Sequence, residues 1–349
     1  MIKLENINLS FDEFELKDIN FQVEAGEYYV VLGLSGAGKS LLLECISGIQ
    51  KPDSGKIILD NVDITKQKIQ ARNVGYVFQH HAIFPHLNVF QNIAYPIKKQ
   101  FPKQLVKKKV EKIADIVNIT HLLKRDTKTL SGGESQRVAL ARTLIRNPKC
   151  ILLDEPFSSL DVQLRDNLRA LLHKINQLGQ TIIHVTHDYE EAVTLAHKIA
   201  IFQNGEIIQD GKPSDVFNNP KSAFVARFKG IRNFFAVKMI SENIVKYNNS
   251  IKIEIPPRTE IDKGNILIKS QDLKISKKEN NIKSSNKFKG IIKDIIPSQK
   301  GNEIVIDADI KLTAFISHDL FNKLDLKIKE NVWVHFKITS VKFIESLYE

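Results

Sequence analysis

Gly33-Leu34-Ser35-Gly36-Ala37-Gly38-Lys39-Ser40 is the stretch that decides the fold. It matches G-x-x-x-x-G-K-[ST], a loop whose backbone N–H groups cradle phosphates. Its flanks fit. Tyr28-Tyr29-Val30-Val31-Leu32 before it has the length and apolarity of a buried strand, and Leu41-Leu42-Leu43-Glu44 after it begins a helix. Gly33, Gly36 and Gly38 let the backbone approach an anion closely, with Ser35 and Ala37 completing the cradle. Lys39 would reach the β- and γ-phosphates, and the Ser40 hydroxyl would ligate Mg²⁺. The helix N-terminus adds a favourable field for anions. The loop alone specifies a nucleoside triphosphate. The rest of the chain must say what the energy is used for.

The 349 residues suggest two or three domains, and 42% hydrophobic content is enough for real cores. Net charge is +11 and the pI about 9.3. The lysines are scattered and no aromatic-interleaved basic stripe occurs, so a solvated surface is expected rather than a nucleic-acid footprint. Cys45 and Cys150 each sit in an apolar stretch and read as buried free thiols of a reducing compartment. There is no metal-ligand spacing, no apolar run of membrane-spanning length and no signal peptide at the N-terminus. The expectation is a cytoplasmic chain whose membrane link comes through a partner.

Residues 2–9 alternate like a strand, and Phe21-Gln22-Val23 reads as a second, giving an antiparallel sheet beside the loop. Phe11 and Phe14 are placed in a polar loop after the first. Phe11 would serve equally as core packing or as a platform stacking on adenine. Val74–Phe78 is a strand, and Gln79 at its C-terminal end is well placed to touch a ligand. Residues 80–148 read as mostly helical, with a lysine-rich, solvated face on 103–117. Ser131-Gly132-Gly133-Glu134 opens a helix to about Arg146. Its exposed N–H groups offer a second phosphate site or simply an N-cap. Cys150–Leu153 is an apolar strand running into Asp154 and Glu155. The first carboxylate there can hold Mg²⁺, and the second can polarise an attacking water. Asp161 caps a following helix. Thr181–Thr186 is a strand that places His187 on the same sheet edge. Asn204-Gly205 joins a hairpin. Past Gly230, strand-like runs replace long helices: 234–240, 250–255, 265–269, 287–296, 302–307, 310–316 and 331–343. Lys277–Ser285 reads as an exposed connector.

In this order, the motifs of residues 1–230 resemble an ATP-binding subunit of an ABC transporter. Gly33–Ser40 is similar to its Walker A loop, Gln79 to the Q-loop, Leu130–Glu134 to the signature and Cys150–Asp154 to Walker B. Glu155 stands at the general-base position, Ser158–Asp161 at the D-loop and His187 at the switch histidine. Phe11 falls at the adenine-stacking aromatic. Glu134 replaces the usual glutamine, which predicts tuned rather than lost activity. The resemblance implies an α/β fold with a RecA-like core, an antiparallel β subdomain and a helical subdomain. It further implies ATP and Mg²⁺, the latter held by Ser40, Gln79 and Asp154. Two copies would sandwich two ATP molecules, each loop facing the other copy's Ser131-Gly132-Gly133, under two integral-membrane permease subunits on the cytoplasmic face. Residues 80–95 are similar to the surface where permeases dock.

Residues 231–349 form a β-rich, barrel-like module. Phe288–Ile292, Leu312–Ser317 and Leu324–Val341 resemble a TOBE domain, clearest over 285–343 and most like the molybdate-binding version. That resemblance implies an importer of molybdate or tungstate, served by an extracytoplasmic binding protein, with Ser285, Lys287 and Lys337 as oxyanion candidates. Import of sulfate, iron or polyamine is the alternative within the class. Outside it stand soluble ABC ATPases acting on nucleic acid or ribosomes. Those usually carry tandem motif sets or a long coiled coil, and this chain has one set and no sustained heptads.

Overall fold

Ile2, Leu4, Ile7 and Leu9 are all buried, although a strict two-residue period would send two of them to solvent. The strand absorbs the mismatch at Asn6, whose φ of 49° is left-handed, and pairing shifts register between Leu4 and Ile7. This bulge returns the second half of the strand to the core. A computed structural model describes the chain apart from residues 13, 159, 249, 259–262, 280–285 and 346–349. It divides into two units, Met1–Asp215 and Val216–Glu349.

The first unit runs β1 (Ile2–Phe11), β2 (Phe14–Val23), β3 (Tyr28–Leu32), α1 (Lys39–Ser47), β4 (Ser54–Leu59), β5 (Val62–Asp63), β6 (Val74–Val77), α2 (Val89–Ala94), α3 (Lys103–Ile116), α4 (Gly132–Leu144), β7 (Cys150–Asp154), α5 (Val162–Gln177), β8 (Thr181–Thr186), α6 (Tyr189–Leu195), β9 (Lys198–Gln203) and β10 (Glu206–Gly211). An antiparallel sheet has the order β2-β1-β4-β5, and a mostly parallel one the order β10-β9-β3-β8-β7-β6. Every residue of β3, β7 and β8 is buried, as continuous apolar runs in a parallel sheet require. The two sheets share one core, in which Phe21 stacks on Tyr29 at 4.9 Å between ring centres. Phe11 and Phe14 are not in a loop. They are the last pair of the β1–β2 ladder, which turns at Asp12 in the left-handed region.

The region expected to be helical holds three separate helices. α3 buries Val106, Val110 and Ala114 along one stripe and leaves its lysines in water. Cys45 and Cys150 are free, buried thiols, and burial pushes each up to about 12, far from the thiolate form needed for reactivity.

The boundary falls within α7 (Pro213–Asn218), and the second unit continues with α8 (Ala223–Phe228), β11 (Asn233–Ser241), β12 (Ile244–Tyr247), β13 (Ile251–Glu254), β14 (Lys263–Ile268), β15 (Lys274–Ser276), β16 (Asn286–Ser298), β17 (Gly301–Asp307), β18 (Lys311–Ile316), α9 (His318–Leu324), β19 (Asn331–Phe336) and β20 (Val341–Glu345). Its antiparallel sheets, β13-β12-β11-β14-β20 and β15-β19-β16-β17-β18, close on a common apolar core. The run 331–343 is therefore two strands. A single 3₁₀ turn at Ile338–Ser340 carries the chain from one sheet to the other. Both halves bury their apolar residues in the same core, so the sequence between them reads as unbroken.

Candidate active site

The phosphate loop lies between the buried end of β3 and the start of α1. Gly36 and Gly38 take φ of 79° and 95°, which side chains rarely adopt. At Gly38 a Cβ would also strike the Phe14 ring. Lys39 is buried, and its Nζ donates to the carbonyls of Gly33 and Leu34 at 2.9 Å each. Glu155 Oε1 stands 3.5 Å away. Burial lowers the Lys39 pKa, and the Glu155 charge opposes that shift.

The far end of α1 is tied down by a residue that sequence reading missed. Arg72 is fully buried, and its guanidinium donates to the carbonyls of Cys45 (2.7 Å), Ile46 (3.0 Å), Thr65 (2.6 Å) and Gln67 (3.1 Å). Two of these belong to the last helical turn, Cys45 already accepting from Gly48 N–H at 3.2 Å and Ile46 being an orphan carbonyl, and a cation there also suits the helix dipole.

Asp154 ends β7 and Glu155 follows it. Ser40 Oγ donates to Asp154 Oδ1 at 2.9 Å, and the Tyr76 hydroxyl donates to Oδ2 at 3.0 Å. Tyr76 was not foreseen, because its value comes from β6 lying beside β7. Burial and then the Asp154 charge hold its pKa well above the ordinary value, so it remains a donor. Glu155 has a left-handed backbone (φ 43°), and its N–H donates to the Val185 carbonyl at 3.1 Å. Its Oε2 lies 3.1 Å from Nδ1 of His187, a half-exposed ring just past β8. The structure thus brings Lys39, Ser40, Asp154, Glu155 and His187 into one connected set.

Gln79 sits apart from that set. Its side-chain nitrogen donates to Ser158 Oγ at 3.4 Å, across to the segment before α5. Asp161 caps α5, accepting from Leu164 N–H at 2.9 Å, while Ser159 lies outside the described residues. Phe11 is at the exposed hairpin end, 42% accessible, and so is not core. Ser131 caps α4, with Gly132 and Gly133 in the first turn. Glu134 accepts from Ser131 N–H at 2.7 Å, and Arg125 Nη1 pairs with it at 3.2 Å. The Ser131 N–H, first among several causes, holds the Glu134 carboxyl below its usual range. A carboxylate therefore does here what a glutamine carbonyl would do in a capping box. A Cβ built at Gly132 would meet nothing within 4 Å.

Beyond Gln79, Phe84 packs on Tyr95 at 4.6 Å between ring centres and under the Arg142 guanidinium at 4.8 Å. These three line a groove of about 320 Å³. In the second unit Lys287 pairs in register with His335, and His335 with Lys274, so two lysines flank one histidine across three strands. Burial lowers the His335 pKa, and the two lysines add to that. Lys337 follows β19 and is exposed, and Ser285 lies outside the described residues.

A family model described as ABC transporter matches residues 16–158. The molybdate/tungstate import ATP-binding protein WtpC of Pyrococcus abyssi is 37% identical over 98% of this chain and 99% of its own length. The spermidine/putrescine import ATP-binding protein PotA of Fusobacterium nucleatum is 40% identical over 80% of this chain and 77% of its own. The ATP-binding cassette MJ0796, solved as a dimer in a post-hydrolysis state with ADP and Pi, superposes with a TM-score of 0.55 at 29% identity, covering 61% of this chain and 99% of that one. Among the described residues no helix is long and apolar enough to cross a membrane. With this connected site and a relative matched from end to end, the chain belongs to the ATP-binding proteins of ABC transporters, which bind ATP and hydrolyse it to drive transport.

Proposed function

We propose that this chain energises uptake of molybdate or tungstate. It works as a homodimer under two permease subunits at the cytoplasmic face of the membrane, fed by an extracytoplasmic binding protein. The observation that carries the cargo assignment is the end-to-end likeness to the molybdate/tungstate protein, which runs through both units. In this reading residues 231–349 are a regulatory TOBE-like module, clearest over 285–343. Lys287, backed by His335 and Lys274, and Lys337 give it cationic surface for an oxyanion.

Each ATP site divides its work among the residues described. Lys39 exchanges the Gly33 and Leu34 carbonyls for phosphate oxygens. The oxygen donors Ser40 and Asp154, 2.9 Å apart, suit a small hard cation. Mg²⁺ held there, with the Gln79 carbonyl completing the set, would neutralise phosphate charge. Glu155 takes the proton of the attacking water, and His187, in contact with Glu155, faces the γ-phosphate. Phe11 stacks on adenine, using its exposed face. The α4 N-terminus at Ser131-Gly132-Gly133 serves the partner copy's nucleotide. None of the described residues comes within 4 Å of a Cβ built at Gly132, so this position at the start of α4 is open toward a second molecule. The Phe84–Tyr95–Arg142 groove is the permease dock.

Tyr76→Phe removes the donor that orients Asp154. Second-sphere losses of this kind cost about 10–100-fold in metal affinity or activity. Steady-state ATPase titrated with Mg²⁺ should show a weaker metal dependence in the variant, and an unchanged titration would remove Tyr76 from the site.

The cargo is tested by labelled uptake in cells that depend on this chain, offering molybdate, tungstate, sulfate and spermidine. Loss of molybdate or tungstate uptake in a Glu155→Gln strain, with sulfate and spermidine uptake intact, is the expected result. Loss of spermidine uptake alone would move the assignment to polyamine import.

A further inference from the structure

The second unit holds a cavity of about 360 Å³ that the ATPase chemistry does not use. Phe217, Ile231, Leu267 and Phe315 give it an apolar floor. Lys229, Lys269 and Lys342 stand around the same space, arriving from the end of α8, the end of β14 and the middle of β20. Folding, not sequence proximity, gathers them. They act on one another: burial lowers the Lys229 pKa, and the charges of Lys269 and Lys342 lower it further.

Their hydrogen-bond partners among the described residues are neutral. Lys229 Nζ donates to Asn218 Oδ1 at 2.7 Å, and Lys342 Nζ to the Asn218 carbonyl at 2.7 Å and Asn219 Oδ1 at 3.0 Å. The Lys269 ammonium has no hydrogen bond or ion pair among the described residues, while its backbone carbonyl accepts from Asp272 N–H at 2.9 Å. Glu303 on the cavity wall is engaged by Arg232 Nε at 3.5 Å. Ser270 Oγ, on the same wall, is buried without a partner among the described residues.

The three ammonium groups stand at the exposed edge of the cavity, where like charges close together still repel through screening water, and an anion placed among them would relieve that repulsion. Size selects the kind of anion. Cavities that take organic ligands begin at about 300 Å³ and are mostly apolar with a few convergent polar groups. A bare oxyanion would leave most of the floor uncovered. We propose that this cavity binds a small organic anion, its apolar body on Phe217, Ile231, Leu267 and Phe315 and its phosphate or carboxylate under Lys229, Lys269 and Lys342. Neither Lys287 nor Lys337 lines it, so the site is independent of the oxyanion surface proposed above.

The test is calorimetric titration of the full chain, saturated with a non-hydrolysable ATP analogue and Mg²⁺ so that the phosphate loop is filled. The probes are phenyl phosphate, inorganic phosphate and molybdate. Phenyl phosphate should bind about tenfold or more tightly than either inorganic anion. Charge-assisted contacts are the strong ones, so Lys269→Gln should weaken phenyl phosphate on the order of tenfold, and the Lys229/Lys269/Lys342 triple glutamine variant should abolish binding. Lys269→Gln breaks no side-chain hydrogen bond or ion pair among the described residues, so it keeps the test decisive if the triple variant fails to fold. The proposal is overturned if phenyl phosphate does not bind at millimolar concentration, if Lys269→Gln leaves its affinity unchanged, or if either inorganic anion binds as tightly and is weakened by Lys269→Gln to the same extent, which separates this cavity from the Lys287 and Lys337 surface.

Discussion

A Glu155→Gln chain should bind ATP normally and hydrolyse it about 10²–10⁴-fold more slowly, the usual contribution of a general base. The amide keeps the size of the carboxylate but cannot accept the water's proton. The backbone N–H bond to Val185 is untouched, so the loop should hold its shape. The change also removes the negative charge 3.5 Å from the buried Lys39 ammonium. Lys39 retains the Gly33 and Leu34 carbonyls, so phosphate capture should survive. With ATP held and not hydrolysed, the closed homodimer should accumulate, visible as a doubled mass in size-exclusion chromatography with ATP and Mg²⁺. Turnover within threefold of the parent chain would take Glu155 out of the general-base role.

Arg72→Met should destabilise the first unit by about 3–5 kcal/mol, a large effect for one residue. The buried guanidinium donates to four carbonyls, with the Asp63 charge nearby but no direct ion pair among the described residues. Methionine fills part of the volume but donates nothing. Each acceptor left buried without a donor costs about 1–3 kcal/mol, reduced where the backbone can relax or admit water. For a unit of this size the loss corresponds to roughly 10 °C in melting temperature. The consequence should reach the nucleotide, because α1 carries Lys39 and Ser40 at its opposite end. Urea unfolding with and without an ATP analogue would measure both effects. An unfolding free energy within about 1 kcal/mol of the parent would mean that water replaces the guanidinium.

What could be read in the sequence was whatever is local or periodic. The phosphate loop between strand and helix, the apolar strand ending at Asp154, the Asn204-Gly205 hairpin and the change of texture past Gly230 each announce themselves within a few residues. Arg72 and Tyr76 do not. Arg72 follows Gln70-Ala71 in a polar stretch with no pattern, and only the folded neighbourhood of α1 makes it a cap. Tyr76 alternates in a strand like any aromatic residue until β6 is set beside β7. The single-strand reading of 331–343 failed because apolar alternation records which residues face the core, not which sheet carries them. Lys274 and His335 escaped notice because their row runs across strands, and sequence runs along them.

Glu155 stands in the left-handed region with a full side chain, a conformation that costs a residue other than glycine about 1–2 kcal/mol. Glycine there would relieve that cost and end the chemistry. Stability and turnover therefore pull in opposite directions at one position. A library of this chain screened for heat resistance alone would drift away from Glu155, and its most durable members would be ATP-binding proteins that no longer power anything.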